Sequence, residues 1–412
     1  MLIKNIFIEL RSRLRSCNVY ITTSIDLNRN CNLKINIQSN CIVLNYYNDN
    51  NYSRRDSLSS IESLSDYSDD EFDDTSIVAI DEFCHIIPNS MSCLKIDKNT
   101  ISFRVLTQPK NGGNFYTEFL SANNLTDSIK TSELKINLNA ENDMKIICAN
   151  CSNVISIESV KFDRILELPT ENIDMSEWFC HGHSHGNTSE PILPVLKQNK
   201  NDFLYRLTYF VVNKNLLSEK TNKFNLKRDI YHCNRCLAWL GIKIKDTVKL
   251  FNSEIKIQQN STDSYVFTHN NPTNISIDDF IYTIECMTKE SNLGLQYAVM
   301  CKIVLECTIS ITNKQYLLIW VMDKELQVLR NNEVIESEKV TLNSSFLTKI
   351  LYKVELCLND EVESWLSDPT VVSTDISKSM FCKGLEHLKS TSQKVPEAFR
   401  SSNGYNISYL KV

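Results

Sequence analysis

IICANCSNV (146–154) and YHCNRCLAWLG (231–241) each carry a Cys-x-x-Cys pair, Cys148/Cys151 and Cys233/Cys236. A Cys-x-x-Cys turn aims two thiolates at one centre, and two such turns supply the four ligands of a tetrahedral zinc ion. One structural zinc on these four cysteines is therefore the first expectation. It would draw Cys151 and Cys233 together and close residues 152–232 into a loop. A site saturated by four cysteines leaves no position for water, so it is read as a staple rather than as a catalyst. Each pair follows a strand-like run, but neither Cys151 nor Cys236 is followed by the Gly that often relieves such a turn.

Inside that loop lies EWFCHGHSHG (177–186), with Trp178, Phe179, Cys180, His181, His183 and His185. Three readings stand. Alternate residues of a strand share a face, which allows a second metal site in cis. A solvated loop with incidental histidines is the plainest. The third is a ligand offered in trans: Cys180 as a thiolate for a partner's metal centre, Trp178 and Phe179 as apolar anchors, His181 and His183 as flanking contacts.

The rest of the chain sets limits. Its 412 residues allow two or three domains with sizeable cores. Net charge is −6, and residues 56–74 alone hold eight acidic residues with no Lys or Arg, so the remainder is near neutral. That balance gives no electrostatic case for direct nucleic-acid binding. The N-terminus, MLIKNIFIELRSRLR, lacks the continuous apolar core of a signal peptide. The most apolar run, YLLIWVM (316–322), is too short to span a bilayer. Fifteen cysteines without a secretory signal read as thiols and metal ligands, which points to the cytoplasm or nucleus. Neither a phosphate-cradling Gly-rich loop nor a Gly-x-Ser-x-Gly or His-Glu-x-x-His motif occurs.

Alternation of apolar and polar residues predicts strands at 5–12, 18–25, 33–38, 41–47, 76–83, 93–99, 101–108 and 134–140. Between them, RRDSLSSIESLSDYSDDEFDDTS (residues 54–76) is Ser- and Asp-rich, and residues 47–75 read as a disordered insertion. Within it Ser57 follows a basic pair, and Ser65 and Ser68 precede acidic residues, as regulatory phosphorylation sites do. Residues 161–172 read as a strand and turn, and 201–217 as either strand or helix. Further strands are expected at 247–257, 297–311, 315–323, 326–336 and 405–412. Helices are expected at 277–291, led by Asp278 and Asp279, and at 375–390, capped by Asp375 and stopped before Pro396. The fold class is α+β, dominated by β. It divides into a β-rich domain (1–145), a zinc-closed segment (146–245) and a mixed α+β domain (246–412). Cys286, Cys301, Cys307 and Cys357 read as buried small hydrophobes. Cys382, in MFCKGLEHL, stands apart because a helix N-terminal turn favours a thiolate.

The order of these signals resembles a family. Cys148/Cys151 is followed by Leu168-Pro169-Thr170-Glu171-Asn172, then Glu177-Trp178-Phe179-Cys180-His181, then Cys-x-x-Cys-x-x-x-x-Gly (233–241). Leu318-Ile319-Trp320, the stretch Leu356 to Trp365, and Tyr409-Leu410-Lys411-Val412 complete it. This pattern resembles the HECT-like ubiquitin ligases known as ubiquitin-conjugating-enzyme-binding proteins. The resemblance implies acceptance of ubiquitin from a conjugating enzyme and transfer to substrates, with cyclin B among the partners. It implies Cys382 as the thioester cysteine, in a C-terminal setting that keeps the cysteine and Leu388. The same family is linked to the metallo-β-lactamase-type endonuclease of pre-mRNA 3′-end processing, whose dizinc site the Cys180 segment would enter and inhibit. Two function classes follow, a cysteine-dependent transferase and an inhibitory clamp.

Overall fold

The computed structural model describes residues 2–27, 32–47, 74–112, 135–168, 201–218, 230–268, 275–291, 300–310, 313–331, 335 and 337–411. Strands dominate, with three α-helices among the described residues, so the fold is α+β and mainly β. The chain forms two compact units from interleaved segments. The first contains Met1–Thr131, Trp320–Tyr352 and Leu388–Val412; the second contains Ser132–Ile319 and Lys353–His387. The three successive segments read from the sequence divide the chain differently.

In the first unit, the strand Ile3–Arg11 is buried on both faces. Ile6, Ile8 and Leu10 point into a core shared with Val19, Ile21, Ile101 and Phe103 and with Ile42, Leu44 and Val78 of a second sheet. The other face carries Phe7, packed with Val328, Val395 and Tyr409. Period-2 geometry places Glu9 on this second face, where it is fully buried. Ile3–Arg11 pairs antiparallel with Ser16–Thr23 on one side and with the end of Asn313–Arg330 on the other. The second sheet runs Lys339–Val340, Asp74–Ala79, Cys41–Tyr47, Asn32–Ile37. Residues 47, 74 and 75 are strand residues here, and the rest of the predicted insertion, with Ser57, Ser65 and Ser68, lies outside the described residues.

In the second unit, six strands are ordered Arg164–Glu167, Asp202–Tyr205, Tyr209–Asn213, Thr247–Phe251, Trp239–Ile244, Ile230–His232. A single 3-10 turn, Asn252–Glu254, carries the chain from Thr247–Phe251 into Ile255–Gln259. That strand belongs to a three-stranded sheet with Met144–Cys148. The bend splits the single strand expected at 247–257. It is fixed by Asn252, whose amide donates to the carbonyls of Arg206 and Leu207 at 2.8 Å each. The ambiguous stretch 201–217 is a strand pair ending in a 3-10 turn. Of the run 134–140, Ile136 makes a single bridge to Phe267.

Helix α1 spans Ile275–Ser291, α2 Asp360–Leu366 and α3 Lys378–Ser392. Two sequence readings are corrected here. The strands expected at 315–323 and 326–336 are one strand, Asn313–Arg330. Asp375 does not cap α3, because it still pairs with Glu306 as the last residue of the strand Val372–Asp375. Its carboxylate takes Lys249 at 2.9 Å, and Ser377 accepts the Met380 N–H at 3.1 Å instead. Helix α2 and the strand Asn343–Glu355 lacked a clear periodic signal. None of the described helices is long and apolar enough to cross a membrane.

Candidate functional site

Both Cys-x-x-Cys turns are built the same way. The N–H of Cys148 reaches the carbonyl of Asn153 at 2.9 Å, and the N–H of Ser152 returns to the carbonyl of Cys148 at 2.9 Å. Cys233 repeats this with Ala238 at 2.9 Å and Leu237 at 3.0 Å. The tight turn forces the residue after each second cysteine into the left-handed region, φ 55° at Ser152 and 60° at Leu237. The geometry that Gly usually provides is thus met by non-glycine residues, at a small local cost.

The sheets bring the turns together. Cys148 ends a strand paired with Ile255, while the hairpin carrying Cys233 pairs with Thr247–Phe251 across the Asn252–Glu254 bend. Gly241 permits that pairing, because a Cβ there would overlap the Lys249 carbonyl oxygen. The result is four sulfurs all within 4.8 Å of one another, with Cys148–Cys236 and Cys151–Cys233 at 3.6 Å. Sulfurs bound at about 2.3 Å to a tetrahedral ion stand about 3.8 Å apart. The quartet therefore fits one metal ion held by thiolates. Burial drives the thiols of Cys148 and Cys151 up. At Cys236 burial acts the same way but is outweighed by hydrogen bonds from the Ala238 N–H, Asn150 and neighbouring thiols, and the value falls to about 6.

Cys382 has the opposite setting. Helix α3 buries Met380, Phe381 and Leu388 and exposes Cys382, Lys383 and Lys389. Cys382 lies in the second turn of the helix, not at its N-terminal turn. The buried face is closely fitted, and a Cβ at Gly384 would overlap the Phe280 ring on α1. The helix start is bolted by hydroxyls. Ser253 bonds Ser377 at 2.9 Å, Ser377 bonds Ser379 at 3.1 Å, Ser276 donates to Ser379 at 3.3 Å, and Ser379 donates to Glu254. These residues had no readable spacing in the sequence. They hold the Cys382 backbone while its thiol faces solvent.

Among the other cysteines, Cys301 and Cys307 are buried, as expected. Cys286 is only partly covered and Cys357 is exposed, which departs from the expectation. Helix α1 begins at Ile275, ahead of Asp278 and Asp279; Asp279 is buried, and burial together with Asp278 raises its carboxyl to about 8. Trp178, Phe179, Cys180, His181 and His183 lie outside the described residues.

Sequence comparison places the chain in a family. The chain belongs to the HECT-like ubiquitin-conjugating enzyme (E2)-binding family, whose pattern it matches over residues 9–407. It is similar to two proteins named as E3 ubiquitin-protein ligases. The Pongo abelii protein is 23% identical over 311 residues, covering 67% of this chain and 74% of that protein. The Homo sapiens protein is 23% identical over 299 residues, covering 64% and 72%. No solved structure matches the chain.

Proposed function

We propose that this protein is a ubiquitin ligase that takes ubiquitin from a conjugating enzyme onto Cys382 and passes it to substrate lysines, cyclin B among the candidates. The observation that carries the reading is the placement of Cys382: exposed on α3, while the opposite face of that helix is fixed by Phe280 packing and the serine network. The thiolate of Cys382 attacks the carbonyl of the conjugating enzyme's ubiquitin thioester. The conjugating enzyme's thiolate leaves, and a new thioester forms on Cys382. A substrate amine then attacks that carbonyl, loses its proton to solvent, and expels the Cys382 thiolate as the isopeptide bond forms.

The quartet's part is structural. Four thiolates at this spacing suit zinc, which Cys148, Cys151, Cys233 and Cys236 would hold in a closed site. Bound there, the ion would tie the hairpin at 230–244 to the strand Met144–Cys148 and would take no part in the transfer.

The test is incubation of the full chain with a panel of charged conjugating enzymes, read on non-reducing gels. Wild type should gain a ubiquitin adduct cleaved by thiol reductant. Cys382→Ser should give an adduct that resists reductant but not alkali, and Cys382→Ala should give none. An adduct that persists in Cys382→Ala removes the assignment. If no enzyme in the panel yields an adduct while Cys180→Ala abolishes inhibition of the 3′-end processing endonuclease, the clamp reading replaces the ligase.

A further inference from the structure

The strand Ser92–Asp97 pairs on one side only, antiparallel with Thr100–Gln108; among the described residues no strand pairs with its other side. Every residue in it is exposed, with Leu94 at 45% and Ile96 at 44%. No other described strand of more than two residues is exposed throughout. An open edge presents unpaired N–H and C=O groups, and proteins blunt such edges where they are not used. Here only the first half is blunted. Cys93 and Leu94 stand opposite the single residue Phe103, a bulge that puts Cys93 in the left-handed region at φ 55°. Beyond it, Lys95–Asp97 is regular.

The hydrogen-bond pattern shows which groups face the open side. The Asn99 carbonyl accepts the Thr23 N–H at 2.7 Å. Alternation then turns the backbone of Ile101 towards Ser16–Thr23, and that of Thr100 and Ser102 towards their partners Asp97 and Lys95. Ile96, between those two, directs its own N–H and C=O outward. Paired residues share a face, so Lys95 and Asp97 project together on the face of Ser102 and Thr100. Ile96 projects on the opposite face. Neither Lys95 nor Asp97 makes an ion pair among the described residues.

We infer that this edge is a self-association surface, pairing antiparallel with the same edge of a second copy about a two-fold axis at Ile96. The axis sets Ile96 opposite its own copy, so its outward groups make the two central hydrogen bonds. It sets Lys95 opposite Asp97 twice over, because a two-fold contact repeats each pair. Those are non-hydrogen-bonded positions, where side chains across a ladder come closest. On the other face Leu94 reaches the second copy's Ile96 diagonally. The neighbouring registers fail. An axis at Lys95 puts Lys against Lys, one at Asp97 puts Asp against Asp, and one at Leu94 puts Lys95 against Cys93. Charge complementarity therefore selects both the occupant and the register. The contact is short, so the association is reversible.

The experiment is sedimentation velocity of the full chain over a rising concentration series, with hydrogen exchange of the peptide spanning Ser92–Asp97 on the same samples. Wild type should pass from monomer to dimer, and exchange at Ile96 should slow as the dimer forms. Lys95→Asp and Asp97→Lys each set like charges opposite one another twice, and each should raise the dissociation constant about ten-fold. The swap Lys95→Asp/Asp97→Lys should restore it to within about two-fold of wild type. Ile96→Cys should form a dimer linked through position 96 on mild oxidation, because a hydrogen-bonded pair holds its Cα atoms about 5.5 Å apart. The changed side chains are all exposed, so the variants should keep the wild-type melting temperature. If Asp97→Lys loosens the hairpin, Lys95→Asp against wild type makes the same comparison. A wild type that stays monomeric at all concentrations overturns the inference. Unaltered dimerisation in the folded single variants, or a folded swap that stays monomeric, overturns it too. Slow exchange at Ile96 in the dilute monomer would assign the edge to another segment of this chain and equally overturn it.

Discussion

Each unit is tied by side chains from distant parts of the chain, but the ties are chemically different. In the first unit Glu9 is fully buried and receives Lys349 at 2.6 Å, Asn18 at 3.1 Å and the Tyr409 hydroxyl. Burial alone would raise its carboxyl, and Lys349, with the hydrogen bonds from Tyr409 and Asn18, outweighs it and holds the carboxyl below the ordinary value. In the second unit the corresponding tie is the thiol quartet of Cys148, Cys151, Cys233 and Cys236. An ionic knot returns only part of the desolvation it costs, whereas a thiolate–zinc site contributes folding free energy directly. The second unit should therefore depend on its tie far more than the first.

The largest expected effect tests that asymmetry. Structural zinc in small domains is worth about 10–16 kcal/mol apparent. Cys233→Ser should lose one zinc ion and should strip hydrogen-exchange protection from 144–148 and 230–244. Protection in Ile3–Arg11 should be kept. Equal loss in both places would break the contrast.

Lys349→Met comes next. It removes the close cationic partner of a buried carboxylate and leaves Arg11 at 4.0 Å; breaking such pairs costs about 3–5 kcal/mol. The pH dependence gives the sign. With its folded value lowered, Glu9 contributes stability above the unfolded carboxyl value of about 4.3, and that contribution is lost as pH falls through the folded value. Without Lys349, burial dominates and the folded value rises. The variant should then lose stability as pH rises from about 4 to neutrality, opposite to the Glu9 contribution in wild type. Denaturant melts across that range read it directly.

Gly384→Ala should cost about 1–3 kcal/mol through overpacking against Phe280, and Phe280→Leu should recover part of the loss. Equal stability with and without Phe280→Leu would show that α3 is not held at this point. Cys382→Ala should leave stability within about 0.5 kcal/mol of wild type, as expected of an exposed site, while abolishing the adduct.

The two ties were unequally legible. Cys-x-x-Cys spacing announces a ligand pair because the turn's own geometry makes it, so the quartet could be read directly. Glu9, Asn18, Lys349 and Tyr409 have no mutual spacing; only packing in the folded unit brings Tyr409 of the strand Tyr405–Leu410 against Phe7 and Glu9 of the strand Ile3–Arg11, which two other strands separate in the sheet order. The local strands at 41–47 and 101–108 were readable because alternation is a property of the segment itself. The interleaving of segments 320–352 and 388–412 with 1–131 was not, because long-range pairing leaves no local pattern. The cap of α3 was misread for a related reason. Asp375 looks like an N-cap until the parallel pairing of Val372–Asp375 with Cys301–Ser310 is known. Exposure of Cys357 was likewise invisible, since an apolar residue between two leucines beside a strand reads as core.

Transfer through Cys382 beside an inert zinc staple is tested most directly by mapping the ubiquitin adduct with mass spectrometry, with zinc content measured on the same sample. One ubiquitin per chain is expected on the peptide containing Cys382, with one zinc retained and Cys148, Cys151, Cys233 and Cys236 unmodified. Ubiquitin found on any of the four quartet cysteines, or an adduct formed only as zinc is lost, would contradict it.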